Sequence, residues 1–331
     1  MDNKIFSTIV VEENSQGIFS QSIKEKNIND LPEGDLVVRV QYSSLNYKDA
    51  LSFSGNKGVT RNYPHTPGID AVGVIEHSEI PEFSVGAKVV ASGYDMGMGT
   101  AGGFGEYIRI PNEWASPLPE NLGTLESMII GTAGLTAGLC VRSLQDSNGI
   151  NGKKAVVTGA TGGVGCLAVK LLSKLGAEVT AISGKTDSTD FLQSIGAQEV
   201  LFRDDFLGSI RKPMGKGQWD IAVDVAGGDI LSGLITSMSY KGAITCCGLV
   251  AGPNFDTTVF PFILRGNSLI GIDSALTPIE EKSKIWQLFA GDWRLEGLDS
   301  LHKTVGMQGM TGEVKKILNG NQVGRVVLKH N

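Results

Sequence analysis

The sequence predicts an α/β protein in which a doubly wound parallel sheet follows a smaller, mostly β unit. Three observations carry this expectation. Residues from Ala155 to Cys247 alternate short apolar strands with helical segments, and the first third runs through short strands separated by turn residues. A glycine-spaced loop joins the first strand of the alternating part to its helix.

Composition allows two cores. The chain has 331 residues, 41 % hydrophobic and 19 % charged, and its 44 glycines follow no period, which points to tight turns rather than a fibre. A formal net charge of −6 argues against general affinity for nucleic acid or anionic lipid, both of which need clustered Lys and Arg. No apolar stretch is read as approaching the roughly 20 residues that span a bilayer, and the N-terminal residues lack the basic-then-apolar order of a signal peptide. A cytoplasmic location without a membrane partner is expected. Cys140, Cys166, Cys246 and Cys247 show no CxxC spacing and read as buried, reduced thiols. His65, His77, His302 and His330 have no spacing suited to a metal, so no metal site is expected.

In order along the chain, strands are expected at Ile5 to Val11, Leu36 to Tyr42, Val72 to His77, Lys88 to Ala91 and Tyr107 to Ile110. The chain turns Pro-rich near Trp114 to Leu122, then takes helical spacing from Leu125, which sets a boundary at about residues 120 to 130. Ala155 to Thr158 is a buried strand. Val164, Leu167, Ala168, Leu171, Leu172 and Leu175 form one helical face closed by Gly176. Strands follow at Glu178 to Ile182, Glu199 to Phe202, Asp220 to Val225 and Ala243 to Cys247, with helices at Phe191 to Ile195 and Ile230 to Met238. Strands joined by crossover helices give a parallel, doubly wound sheet. After residue 275 the pattern is helical through Trp286 to Phe289, and Gly324 to Leu328 is a last strand able to pair back onto the first unit.

In the loop Thr158-Gly159-Ala160-Thr161-Gly162-Gly163-Val164-Gly165 each spaced glycine meets a steric need: Gly159 the tight turn, Gly162 backbone approach to a diphosphate, Gly165 close packing of helix on strand. The helix start adds free N–H groups and a positive dipole end. A dinucleotide site of the Rossmann type follows. NAD-selective sites carry Asp or Glu at the end of the second strand to hold the ribose 2′-hydroxyl. Here that position is Ser183, followed by Gly184 and Lys185, with Arg203 after the next strand. A hydroxyl and two cations suit the 2′-phosphate of NADP, so NADPH is expected over NADH.

The strings Ser43-Ser44-Leu45-Asn46-Tyr47-Lys48-Asp49-Ala50, Pro67-Gly68-Ile69-Asp70, Gly131-Thr132-Ala133-Gly134, Thr158 to Gly165, Ser183-Gly184-Lys185, Phe262-Ile263-Leu264-Arg265-Gly266 and Gly271-Ile272-Asp273-Ser274 resemble the zinc-independent medium-chain dehydrogenase/reductases. More narrowly they resemble the quinone oxidoreductase-like branch that includes acrylyl-CoA reductase, from about residue 4 onward. Zinc-dependent relatives carry Gly-His-Glu where this chain has Gly68-Ile69-Asp70, and Ile69 cannot bind a metal. The resemblance implies a GroES-like (chaperonin-10-like) β-barrel over residues 1–124 completed by 276–331, a Rossmann domain over 125–275, an active site in the cleft against the latter, and a homodimer. It implies cofactor contacts at Tyr47, Thr161, Gly162, Gly163, Val164, Ser183, Gly184, Lys185, Arg203, Leu249, Ile263 and Ser274.

The implied reaction reduces the activated C=C bond of an enoyl thioester, acryloyl-CoA to propanoyl-CoA; the alternative acceptor is a quinone or another α,β-unsaturated carbonyl. Tyr47 and Asn46 are the expected catalytic residues, Tyr47 either donating a proton or only packing on the nicotinamide, Asn46 hydrogen-bonding ribose or carbonyl. Lys48 and Asp49 read either as part of this cluster or as an ion pair. Arg61, Arg265 and Arg325 read as phosphate clamps or as solvated side chains, and Tyr94, Met96 to Met98 and Phe104 as a substrate lining or a surface loop.

Overall fold

The computed structural model describes residues 3–210 and 214–331. The chain divides into two compact units, Met1–Thr132 with Ala275–Asn331, and Ala133–Ser274.

The first unit begins with strands β1 (Ile5–Glu13), β2 (Phe19–Asn27) and β3 (Leu36–Leu45), helix α1 (Tyr47–Phe53), and strands β4 (Asp70–Ser78), β5 (Lys88–Ser92), β6 (Tyr107–Ile110) and β7 (Ala115–Pro117). Helix α2 (Thr124–Asn148) carries the chain out of this unit and is broken at Gly131, where φ 51° and ψ −161° leave helical space. The contiguous second unit then runs β8 (Lys154–Val157), α3 (Gly163–Lys174), β9 (Glu178–Ser183), α4 (Thr189–Ser194), β10 (Glu199–Phe202), α5 (Arg203–Ser209), β11 (Trp219–Asp224), α6 (Gly228–Ser237), β12 (Met238–Cys246), α7 (Phe260–Arg265) and β13 (Ser268–Gly271). The return segment adds α8 (Ile279–Ala290), β14 (His302–Val305), α9 (Met310–Leu318) and β15 (Arg325–Lys329).

In the second unit six parallel strands lie in the order β10-β9-β8-β11-β12-β13. Strand order therefore reverses between β8 and β11, the point where doubly wound sheets open a crevice at their carboxyl ends. Val156, Ile182, Ala222, Leu231, Leu234 and Ile244 fill the core between sheet and helices.

In the first unit β1 and β2 form a two-stranded antiparallel sheet. A seven-stranded sheet runs β14-β15-β3-β4-β5-β7, with β6 also paired to β3. Its main core holds Leu36, Val38, Val40, Ile75, Ile108 and Ile110. A second cluster packs Phe53, Phe104, Met310, Val314, Val326 and Leu328 together, so the return segment is built into the first unit. Strand β15 pairs antiparallel with β3, Val327 opposite Ser44, as the sequence allowed for the last strand.

Several expectations need correction. Met96 (1 % exposed) belongs to the main core and Phe104 (0 %) to the second cluster, so these residues neither form a surface loop nor line a cleft. Tyr94 stacks on Trp114 at 5.7 Å and lies under the buried Lys282 ammonium. Cys140 and Cys166 are buried, whereas Cys246 and Cys247 are half-buried at the end of β12. Helix α2 is long and apolar enough to span a bilayer by length and composition, with a mean hydropathy of 1.4, contrary to the reading that no stretch approaches that length; most of it is buried within the fold.

Candidate active site

The phosphate loop follows β8 and meets the three steric requirements. Gly159 sits at φ 56°. A Cβ on Gly165 would lie 2.3 Å from the Gly159 carbonyl oxygen and 2.7 Å from Ala160 Cα, so any side chain there would push α3 off the loop. Gly162, the N-cap of α3, has only the Gly159 carbonyl within van der Waals reach, leaving its outer face open. The start of a 12-residue helix then offers unpaired N–H groups toward that face. These features fit a diphosphate.

At the end of β9 the structure brings together five of the expected residues, Thr161, Ser183, Gly184, Lys185 and Arg203. Lys185 Nζ donates to Thr161 Oγ1 at 2.8 Å, joining the second-strand turn to the phosphate loop. The Lys185 N–H donates to Ser183 Oγ at 3.0 Å, and Ser188 Oγ bonds both Ser183 Oγ (3.0 Å) and the Lys185 carbonyl (2.6 Å). Ser183 is thus buried inside its own turn. The exposed Arg203 guanidinium lies over Gly184, where an added Cβ would come within 3.2 Å of Nη1; its Nε is paired with Asp204 at 3.0 Å. Burial lowers the Lys185 pKa, against the pull of Asp187. A half-buried ammonium without a strong anionic partner suits an incoming phosphate.

The remaining expected contacts are spread over the same unit. Gly248 packs on the Val225 carbonyl, and Leu249 follows it beside Gly227, 60 % exposed. Ile263 on α7 is 69 % exposed. Ser274 accepts a 2.6 Å hydrogen bond from Thr136. Arg265 does not act as a clamp: its guanidinium donates to the carbonyls of Thr236, Met238 and Gly215.

In the first unit Asn46 caps α1 and Tyr47 is its first residue, 39 % exposed. The Asn46 side chain is not free for a ligand. Its Nδ2 donates to Asp70 Oδ2 (2.8 Å) and Asp49 Oδ2 (3.1 Å), and its Oδ1 accepts from Arg325 Nη1 (3.3 Å). Asp49 accepts from the Asn46 and Ile69 N–H groups and is buried while Lys48 is exposed, so the expected Lys48–Asp49 ion pair does not form. Asp70 also accepts from Ser44 Oγ (2.5 Å) and from Thr132 N and Oγ1. Arg325, 3 % exposed, donates to the carbonyls of Ile129 and Leu45 and to Ser44 Oγ. Gly131 sits against this knot, since a Cβ there would fall 2.6 Å from Ser44 Oγ and 2.8 Å from both Arg325 Nη2 and Asp70 Oδ2. Burial, then the Asp70 charge, pushes the Asp49 pKa up to about 7.

Two family models match the chain, the alcohol dehydrogenase GroES-like domain over residues 32–120 and the zinc-binding dehydrogenase over residues 163–291. The putative quinone oxidoreductase YhfP of Bacillus subtilis is 38 % identical over 98 % of this chain and 99 % of its own, and the B. subtilis yhfP crystal structure with NAD bound superposes with a TM-score of 0.95 at 37 % identity, covering 99 % and 100 % of the two chains. The acrylyl-CoA reductase AcuI of Ruegeria pomeroyi is 36 % identical over 99 % of this chain and 100 % of its own. Escherichia coli K-12 YhdH, crystallised with bound NADPH, gives a TM-score of 0.93 at 39 % identity, covering 98 % and 100 % of the two chains. The chain belongs to the zinc-independent medium-chain dehydrogenase/reductases. At the position of the zinc-ligating histidine in metal-dependent members of this superfamily, Ile69 is buried and donates its N–H to Asp49 at 2.7 Å. This medium-chain reductase also contains site residues that sequence reasoning left undefined. Ser188 locks the second-strand turn, and Ser44, Asp70, Thr132 and Arg325 hold Asn46 and the start of α1. The motifs contained Ser44, Asp70 and Thr132, but nothing local indicates that residue 325 meets residue 44.

Proposed function

We propose that this protein is an NADPH-dependent reductase of activated C=C bonds, with an enoyl thioester of the acryloyl-CoA type as substrate. The observation that carries the cofactor choice is the Lys185 ammonium, held on Thr161 of the phosphate loop at a strand end that lacks a carboxylate. The 2′-phosphate would pair with Lys185 and Arg203, and the diphosphate with Gly162, Gly163 and Val164 at the start of α3. Leu249, Ile263 and Ser274 are assigned to the rest of the cofactor surface. When bound, the cofactor supplies a hydride for the substrate β-carbon, and an enolate results.

The protein's own task is to orient both partners and to deliver a proton to the α-carbon. Tyr47 is assigned as that donor, its phenol exposed at the start of α1. Asn46 is assigned as the residue that positions Tyr47, its donors spent on Asp49 and Asp70. The acyl-CoA substrate follows from the similarity to AcuI, and a quinone acceptor is the second reading, from the similarity to YhfP. We also infer a homodimer, supported by the outer edge of β13 and the exposed Phe260 and Leu264 of α7. Steady-state NADPH oxidation with acryloyl-CoA, crotonaldehyde and a small quinone tests the substrate. The highest kcat/KM with the quinone would replace the thioester reading.

A further inference from the structure

Asp224 ends β11 and is fully buried, yet no Lys, Arg or His among the described residues compensates it. Its Oδ1 accepts the Thr158 hydroxyl at 2.7 Å, its Oδ2 accepts the Gly227 N–H at 2.9 Å, the Ala226 N–H approaches Oδ1 at 3.3 Å, and the Cys246 thiol approaches Oδ2 at 3.8 Å. Every one of these neighbours is a donor. The Thr158 oxygen itself accepts from the Val225 and Ala226 N–H groups, so its proton can point only at the carboxylate. Four donors and no acceptor describe an ionised group. Burial raises the Asp224 pKa, and the hydrogen bonds from Thr158, Gly227 and Ala226 oppose that rise.

The place is informative. Thr158 follows β8 and opens the phosphate loop, and β8 and β11 are the two strands between which the order of the sheet reverses. A dinucleotide spans the crevice at such a point, its diphosphate at the helix after the first strand and its adenosine ribose at the end of the second. With β9 taking the adenosine side, the carboxyl ends of β11 and β12 are left for the nicotinamide side. The carboxylate satisfies donors on both of its oxygens, which a neutral amide of the same shape would do on one side only, and it leaves at this crevice a buried negative charge that no cation among the described residues cancels.

The structure assigns to Asp224 an electrostatic role: its buried negative charge favours the cationic oxidised nicotinamide over the neutral reduced ring, and so favours hydride release. Loss of the hydride and its electron pair from C4 leaves the ring with one positive charge, and that charge is felt through a medium of low dielectric. Asp224 is fully buried behind the Thr158 hydroxyl, so it would act through its charge and is a positioning residue in the electrostatic sense. The inference rests on the NADP(H) reading above.

The test is the ratio of dissociation constants for NADPH and NADP+, measured by titration calorimetry on the full protein. The 2′-phosphate and diphosphate are common to both forms, so a distorted loop weakens both alike and leaves the ratio in place. Asp224→Asn is expected to weaken NADP+ relative to NADPH by on the order of tenfold, the scale of one charge acting through a partly buried medium. Thr158→Val, which disturbs the same tie and keeps the charge, is expected to leave the ratio within about twofold of the wild type. An unchanged ratio in Asp224→Asn overturns the inference. If that variant does not fold, the wild type decides: NADP+ binding at least as tightly as NADPH supports the role, and a marked preference for NADPH overturns it. Failure of the wild type to bind either form would instead remove the cofactor reading itself.

Discussion

Replacing Arg325 with Met should reveal how much of the first unit depends on its buried polar knot. The guanidinium makes hydrogen bonds to the Ile129 carbonyl (2.8 Å), the Leu45 carbonyl (3.3 Å), Asn46 Oδ1 (3.3 Å) and Ser44 Oγ (2.9 Å), and the residue is 3 % exposed. Methionine restores much of the volume and none of the donors. Leaving buried carbonyls unpaired costs about 1–3 kcal/mol each, and removing the cation that shares Ser44 Oγ with Asp70 raises the cost of burying that carboxylate. These effects overlap, so the expected loss is about 3–5 kcal/mol, the range for breaking one side of a buried charge cluster. Urea unfolding followed by tryptophan fluorescence reports on this unit through Trp114, Trp286 and Trp293. Adding Asp70→Asn to Arg325→Met should recover part of the loss, because the remaining knot then carries less uncompensated charge. A loss below about 1 kcal/mol, or a double variant that is simply the sum of two large losses, would refute the account of the knot as one electrostatic unit.

Three further outcomes are expected. Lys185→Glu should raise the KM for NADPH by about tenfold or more, roughly 1.4 kcal/mol, and change that for NADH far less, as read from initial rates with each cofactor. Tyr47→Phe should lower turnover with KM for NADPH preserved, and wild-type turnover across the pH range would return Tyr47 to a packing role. Acid should destabilise the first unit through His65 and His330, whose pKa values burial lowers from 6.5 and whose Nε2 and Nδ1, respectively, have no protein partner. Both groups are neutral in the fold, so their contribution is present above pH 6.5 and is lost as pH falls from there through the lowered folded values. Urea midpoints at neutral and mildly acidic pH should show the decline, and His330→Gln should flatten it.

The parts of this fold legible in the sequence are those governed by local sterics. Gly159 and Gly165 answer to a turn and to a helix–strand contact within a few residues, and the Ser183 to Lys185 turn is likewise contiguous. Strand β2, Phe-Ser-Gln-Ser-Ile-Lys-Glu-Lys-Asn, was hidden because most of it faces solvent and no apolar alternation marks it. Met96 and Phe104 were misread because the glycines around them look like a surface loop, while the residues themselves are core. The Asn46 knot was illegible for another reason: it joins Ser44 to a partner 281 positions away, and only the β3–β15 register brings them together. Spacing along a chain carries no information about such a meeting.

The interior position of β15 has a consequence for synthesis. The unit formed by Ala133–Ser274 is contiguous and can close while later residues are still being made, whereas Tyr42 to Leu45 of β3 must wait for Val326 to Lys329 to supply their partner. Until then a half-strand of unpaired backbone is open to any extended peptide nearby. A strand made before the whole second unit is therefore among the last to finish folding, and its safe passage depends on β15 arriving before a stranger does.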